Sequence, residues 1–494
     1  MDFLSLLPDL ALVNILGHMH SERDIFHLIS ASPESLRIYI RYRQTIARQR
    51  LSTMLHLDVD GSILQDAQAI INFPVILKDS SVLRRDVHRC LDTWDARGFP
   101  NPLMEQANPE SVTPVHHFFA RLIFFIEDYI SKASDPFPTR AYMTLPTMNR
   151  FAPTMRFKGR EIDDIEHVSF ADLDPSVQRR LLQAFIRFEF RCKIYHPFVW
   201  PLIQGTAYED MIFNANKSLS MEDHEEIYCV SEYLNGMYSA IIVQSDDDIW
   251  FPDRPSPTTD HGLLFPDTYC IRIYTFVSDA DLDLLAWKRM PNLGLDPLSA
   301  LLQYLDSHSS SRYYIRDRVQ NFSDNQPYGL WTATGHFLQQ HRLYFVSTQV
   351  RRLAAATESS DNPMQWRSDT IDDVDRQINL KSYATAMYRQ RAGIFFTGSV
   401  GRQPNLPSWD EFILEEERAN HIMGLEERRQ RRRSHKWRDD WAGQTLNRPS
   451  DDDSSINQEN EEDYDDEESD DEENYGQTTL LDDLQTRFFK PRSR

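Results

Sequence analysis

The stretch that most constrains this chain is Leu7-Pro8-Asp9-Leu10-Ala11-Leu12-Val13-Asn14-Ile15-Leu16, because helix punctuation and helical spacing coincide there and then repeat. Pro8 suits a first helical position, where its missing N–H would have no partner in any case. Leu12, Ile15, Leu16 and Met19 recur at helical spacing. Ser21 is placed to cap a second helix, with Asp24 three residues on in a variant capping box. Ser32-Pro33 repeats the logic with a capping serine and a proline behind it. Three short helices in about 45 residues make a unit too small to be robust alone. Its apolar surface therefore needs a partner or the rest of the chain.

This pattern resembles the F-box. That family opens on a Leu-Pro pair, continues with Leu and Ile-Leu in its first helix, and sets Asp before an apolar pair in its second. The matching residues are Leu7-Pro8, Leu10, Ile15-Leu16, Asp24 and Ile25, and Ala31-Ser32-Pro33 is similar to the turn of fungal F-box proteins. The resemblance covers residues 3–50. Tyr39 and Tyr42 stand where the broader family carries a tryptophan in the third helix. The segment Arg179-Arg180-Leu181-Leu182 to Lys193 also resembles a helix recurrent in fungal F-box proteins. The resemblance implies docking on the adaptor subunit of an SCF (cullin–RING) E3 ubiquitin ligase through Leu7, Pro8, Leu10, Ile15, Leu16, Ile25 and Leu28. It also implies that the chain carries no catalysis of its own and that the ubiquitin-transferring partners supply the chemistry.

The remainder reads as mainly α. Residues 36–56 continue the last F-box helix into the body. Helices are expected over 62–71, 79–96, 114–131, 221–242, 297–306 and 332–356, and over 281–290, 370–391 and 408–441. Asp174-Pro175 opens another, whose Val177, Leu181, Ala184, Phe185, Phe188 and Cys192 share one face. Residues 135–160, with Pro136, Pro138, Pro146 and Pro153, read as a long surface loop. Residues 246–268 read as a second loop, and Tyr269–Val277 as a short strand. The organisation expected is an F-box domain over 1–50, a mainly helical body with a few short strands over 51–445 that recognises substrate, and an acidic tail over 446–494.

Charge sets the tail apart. Residues 451–494 hold 17 acids and 4 bases, more than half of the chain's net charge of −23. Residues 451–474 alone hold 15 acids and no base. Such a segment repels itself and has little apolar area to bury, so it is expected to be disordered. An acidic body also argues against general nucleic-acid binding, which needs a basic footprint. The basic run Arg428–Lys436 reads as a solvated helix end, a nuclear localisation signal or a contact for the tail.

Cys90, Cys192, Cys229 and Cys270 are far apart and form no C-x-x-C pair, which suits a reducing compartment. The N-terminal stretch lacks a basic region before its apolar residues, so no signal peptide is expected. The expectation is a cytoplasmic or nuclear protein that spans no membrane.

Searching for chemistry finds no phosphate-binding glycine loop, no H-E-x-x-H and no G-x-S-x-G. His116-His117 point about 100° apart on a helix and are poorly placed to chelate one metal. No cofactor is expected. No repeat of about 20–50 residues appears, so leucine-rich or WD40 recognition is not indicated. The competing reading is a helical scaffold without a ligase role, whose N-terminal helices cap its own core. The two differ in one respect: an F-box presents Leu7, Pro8, Leu10 and Ile15 outward, and a cap buries them.

Overall fold

The computed structural model describes residues 3–19, 22–74, 80–104, 109–135, 138–148, 154–196, 198–245, 251, 290–307 and 389–396. These residues are mainly helical, with one small sheet. Among the helices expected above, those over 332–356 and 408–441, the strand at 269–277 and the acidic tail lie outside the described residues, as do all but the ends of 281–290 and 370–391.

A short 3-10 turn, Phe3–Leu6, leads into α1 (Asp9–His18), α2 (Glu22–Ala31), α3 (Pro33–Arg41) and α4 (Arg43–Leu55). Pro8 precedes the first helical residue instead of occupying it. Its carbonyl accepts from the N–H groups of Ala11 at 2.9 Å and Leu12 at 3.2 Å. Ser32 does cap α3, its hydroxyl accepting from the N–H of Ser35 at 3.1 Å, with Pro33 first in the helix. The expected single helix over 36–56 breaks at Tyr42 (φ −112°, ψ 20°). That break lets α4 leave α3 and cross to the body.

α4 faces two cores. Ile46 joins Leu12, Val13, Leu16, Ile25 and Ile38 in a small cluster of its own. Ala47, Leu51 and Met54 belong to the large core of the body. A boundary at residue 50 therefore cuts a helix that both parts share. Gly17 lets α1 come close to α4: a Cβ there would lie 2.0 Å from the Gln49 side-chain oxygen.

The body is built on α5 (Ser62–Asn72), α6 (Ser80–Asp95), α7 (Pro109–Ser134), α8 (Pro138–Tyr142), α9 (Pro175–Ile194), α10 (Trp200–Ile203), α11 (Ala207–Lys217), α12 (Met221–Ser245), α13 (Leu295–Ser307) and α14 (Gly393–Phe396). α9 is central, packed against α5, α7 and α12, and its predicted face is buried throughout. α7 starts earlier than expected, with Pro114 inside it.

The described residues of 135–160 do not form a surface loop. They contain α8 and an antiparallel sheet of β1 (Leu145–Pro146), β2 (Met155–Phe157) and, just beyond, β3 (Arg160–Ile162). Met155 pairs with Pro146 on one side and Ile162 on the other. Tyr142, Met143, Leu145 and Phe157 reach the core.

Charges are buried within this body. Lys132, with no exposed surface, donates to Asp128 at 2.9 Å and to the Thr144 carbonyl at 3.0 Å, while the Tyr233 hydroxyl donates to the same carboxylate at 2.8 Å. Burial lowers the Lys132 pKa despite Asp128 beside it. Residues 389–396 are held from several sides. Arg389 makes a two-pronged pair with Glu225 at 2.7 and 2.8 Å. The Tyr142 hydroxyl donates to the Gln390 carbonyl at 2.7 Å, and Arg180 donates to the Ile394 carbonyl at 3.0 Å. Ile394, Phe395 and Phe396 are buried behind these contacts.

Candidate functional site

The candidate site is the outer surface of the first three helices. On α1, Leu12, Val13, Leu16 and Gly17 point inward. Helical geometry then turns Leu10, Asn14 and Ile15 outward, and all three are exposed, as are Leu7 and Pro8 just before the helix. Leu10 is 72% exposed. α3 divides in the same way: Ser35 and Ile38 are buried, while Leu36 and Ile40, one turn apart, face solvent.

The two outward sets belong to neighbouring elements, since α3 packs on both α1 and the Phe3–Leu6 turn. Charges around Asp9 pin them together. Arg37 donates to Asp9 at 2.8 Å and to Glu34 at 2.5 Å, and Arg41 lies 3.4 Å from Asp9. Hydrogen bonds donated to Glu34 and then to Asp9 raise the Arg37 pKa above its ordinary value, so the cation is constant. Asp9 in the first turn of α1 also suits the positive end of the helix. The surface is therefore apolar, with an ion-pair cluster along one edge.

The sequence-predicted contact residues separate into two groups. Leu7, Pro8, Leu10 and Ile15 are exposed. Leu16 and Ile25 are buried in the small core and have no area to offer a partner; they hold the outward residues in place. Leu28 is half-buried against the same core. Tyr39 and Tyr42 likewise pack on it, with the Arg41 guanidinium 5.3 Å from the Tyr42 ring centre.

Sequence reasoning missed four residues of this surface: Phe3 (77% exposed), Leu6 (80%), Leu36 and Ile40 (67%). The signal for the last two was available. Leu36 and Ile40 stand four apart and out of phase with Ile38, so one of the two apolar faces of α3 had to remain outside.

Seven of the eleven exposed large apolar side chains among the described residues fall in the first 41 positions. The others, Val59, Met104, Phe198 and Phe213, are scattered singly through the body. α2 and α3 do not close fully on the body either. A cleft of about 550 Å³ separates them from α7 and the sheet, with Phe26, Ile29, Phe124, Met148 and Ile165 on its walls.

No described group of three or more His, Cys, Asp or Glu side chains is arranged to hold a metal ion. Cys90, Cys192 and Cys229 are buried; burial pushes the Cys90 thiol up to about 12 and the other two well above their usual value. No described helix is long and apolar enough to cross a membrane. Compared with known proteins, the chain matches no family model, no curated protein and no solved structure.

Proposed function

We propose that this chain is an F-box-type substrate receptor of an SCF (cullin–RING) ubiquitin ligase. The surface of α1 and α3 docks on the adaptor subunit and, through it, joins the cullin. The helical body holds a protein substrate, and ubiquitin transfer follows from proximity to the catalytic partners. The chain supplies no catalysis and acts in the cytoplasm or nucleus.

The observation that carries this reading is the outward placement of Leu7, Pro8, Leu10 and Ile15 on a unit whose own core is already filled by Leu12, Leu16, Ile25 and Ile38. A cap for an internal core would turn those four residues inward. Their exposure supports the F-box reading over a helical scaffold, and the clustering of exposed apolar residues marks an interaction surface.

The test is co-purification of adaptor and cullin from cells containing the SCF subunits. Wild-type chain should capture both; Leu7→Ala with Pro8→Ala, or Leu10→Ala with Ile15→Ala, should capture neither. Point substitutions are preferable to removing residues 1–50, since that cut takes Ile46 and Ala47 out of α4 and disturbs both cores. Failure of the wild-type chain to capture the adaptor would refute the proposal.

A further inference from the structure

A groove of about 960 Å³ runs between the α3–α4 junction, the end of α5 and the start of α7. Its walls carry Arg41, Arg43, Arg50, Arg121 and Lys193, together with His116 and His117. Asp296 is the one acid among the lining residues, and it is already engaged by Arg121 at 2.5 Å and by Lys193. Arg41 pairs with Asp9 and Lys193 also with Glu189, both acids lying outside the groove lining, while Arg43 and Arg50 face imidazoles. Arg43 lies 3.3 Å from His117 Nε2, and Arg50 lies 3.4 Å from His116 Nε2. At each contact the guanidinium donates, so Nε2 accepts and that imidazole is unprotonated there. Even with Asp9 and Glu189 counted beside the lining residues, five cations face three acids, the reverse of the sign of the chain's net charge of −23.

Such a groove concentrates positive potential, since low-dielectric walls focus the field of fixed charges. Arg50 and His116 are buried, and Arg121 is largely so. Their side chains are already ordered, so binding an anion there costs less conformational entropy than ordering free arginines would.

We propose that this groove is a binding site for an acidic polypeptide segment and that its occupant is the chain's own residues 451–474. That segment carries 15 acids and no base. The 54 residues between Phe396 and Asp451 could span up to ~180 Å, so the tether does not limit reach. Being in the same chain, the segment meets the groove at an effective concentration that an outside ligand must exceed. The Arg428–Lys436 run is the rival partner in the sequence, although its adjacent cations repel one another. The inference rests on charge and geometry and is independent of the ligase reading.

The experiment uses full-length chain and a fluorescent peptide of residues 451–474, read by anisotropy. A variant with the acids of 451–474 changed to Asn and Gln leaves the groove open. It should bind the peptide at least about ten-fold more tightly than wild type, and the affinity should fall steeply with salt. Adding Arg43→Glu should abolish binding with the melting temperature unchanged, because that side chain is exposed. Changing Arg428–Arg433 to Gln instead should leave binding intact. The proposal is overturned by four results. The neutralised variant fails to bind; binding survives Arg43→Glu; binding is lost with Arg428–Arg433; or single-stranded RNA displaces the peptide at lower concentration than the unlabelled peptide does. Equal affinity for wild type and the neutralised variant overturns the assigned occupant and leaves the groove to an acidic segment of another protein.

Discussion

Among the described residues, the N-terminal unit makes a core of six apolar side chains and leaves seven large ones outside, while the body has a far larger core and four large ones exposed, scattered singly. Both parts use amphipathic helices, so the difference is not one of secondary structure. It lies in what the surplus apolar area faces. The body is thick enough for α9 to be covered on several sides. The N-terminal unit is one layer around a small core, and α1 and α3 each carry more apolar residues than that core can take. A surface of that kind gains most from a partner. Charge separates the two parts as well: the body buries Lys132, Asp128, Arg389 and Glu225, while the ion pairs of the N-terminal unit, around Asp9 and Arg37, lie at its surface.

The largest effect should come from breaking a buried ion pair in the body. Lys132→Ala leaves the Asp128 carboxylate buried without its cation and should cost about 3–5 kcal/mol. Glu225→Ala should do similar damage and also release residues 389–396. Chemical denaturation of each variant checks this; a cost below about 1 kcal/mol would show that the pairs are not as dry as they stand here.

Core truncation in the N-terminal unit comes next. Leu16→Ala or Ile25→Ala should cost about 2–4 kcal/mol. The loss should be read locally, as faster amide exchange in α1 to α3, with α9 and α12 still protected. Uniform loss of protection across the chain would instead mean that α4 couples the two cores into one cooperative unit.

Acid should weaken the body. Burial, and then the nearby Lys193, push His196 down to about 3 from an ordinary value near 6.5. The unfolded chain therefore binds a proton that the folded chain refuses. This contribution is complete above the ordinary histidine value and is lost as pH falls toward about 3. The 3.3 Å contact from the Phe198 N–H to His196 Nδ1 fits a neutral ring. Stability measured from neutral pH to about pH 4 should decline, and His196→Gln should flatten part of that slope. An identical slope in the variant would remove His196 as its source.

Much of this architecture was legible beforehand. The helices over 62–72, 80–95, 175–194 and 221–245 announced themselves by periodicity and length. The sheet did not, because strands of two or three residues have no period to detect and prolines surround them. α10 and α11 went unread as well. Thr206 followed by Glu209 is a capping signal that would have found α11, whose cap accepts from the Tyr208 N–H. Nothing local marks Arg389–Phe396 as core; its partners Glu225, Tyr142 and Arg180 lie more than a hundred residues away. At the site, composition identified the apolar helices but not their phase. Leu10 and Leu16 look alike in the sequence, yet six positions set them about 120° apart around α1, one exposed and one buried.

The smallest stability effects should fall on the outward surface itself. Leu10→Ala and Ile40→Ala each remove exposed atoms and should change stability by no more than about 0.5 kcal/mol. On a partner, each side chain would become buried and be worth about 1–3 kcal/mol. That contrast gives the most direct measurement: calorimetric titration of purified SCF adaptor into wild-type chain and into the Leu10→Ala, Ile40→Ala double variant, with melting temperatures taken on the same samples. The account predicts binding by the wild type, affinity reduced on the order of 10²-fold or more in the variant, and coincident melting curves. No heat of binding with wild type, or a lowered melting temperature in the variant, would contradict it.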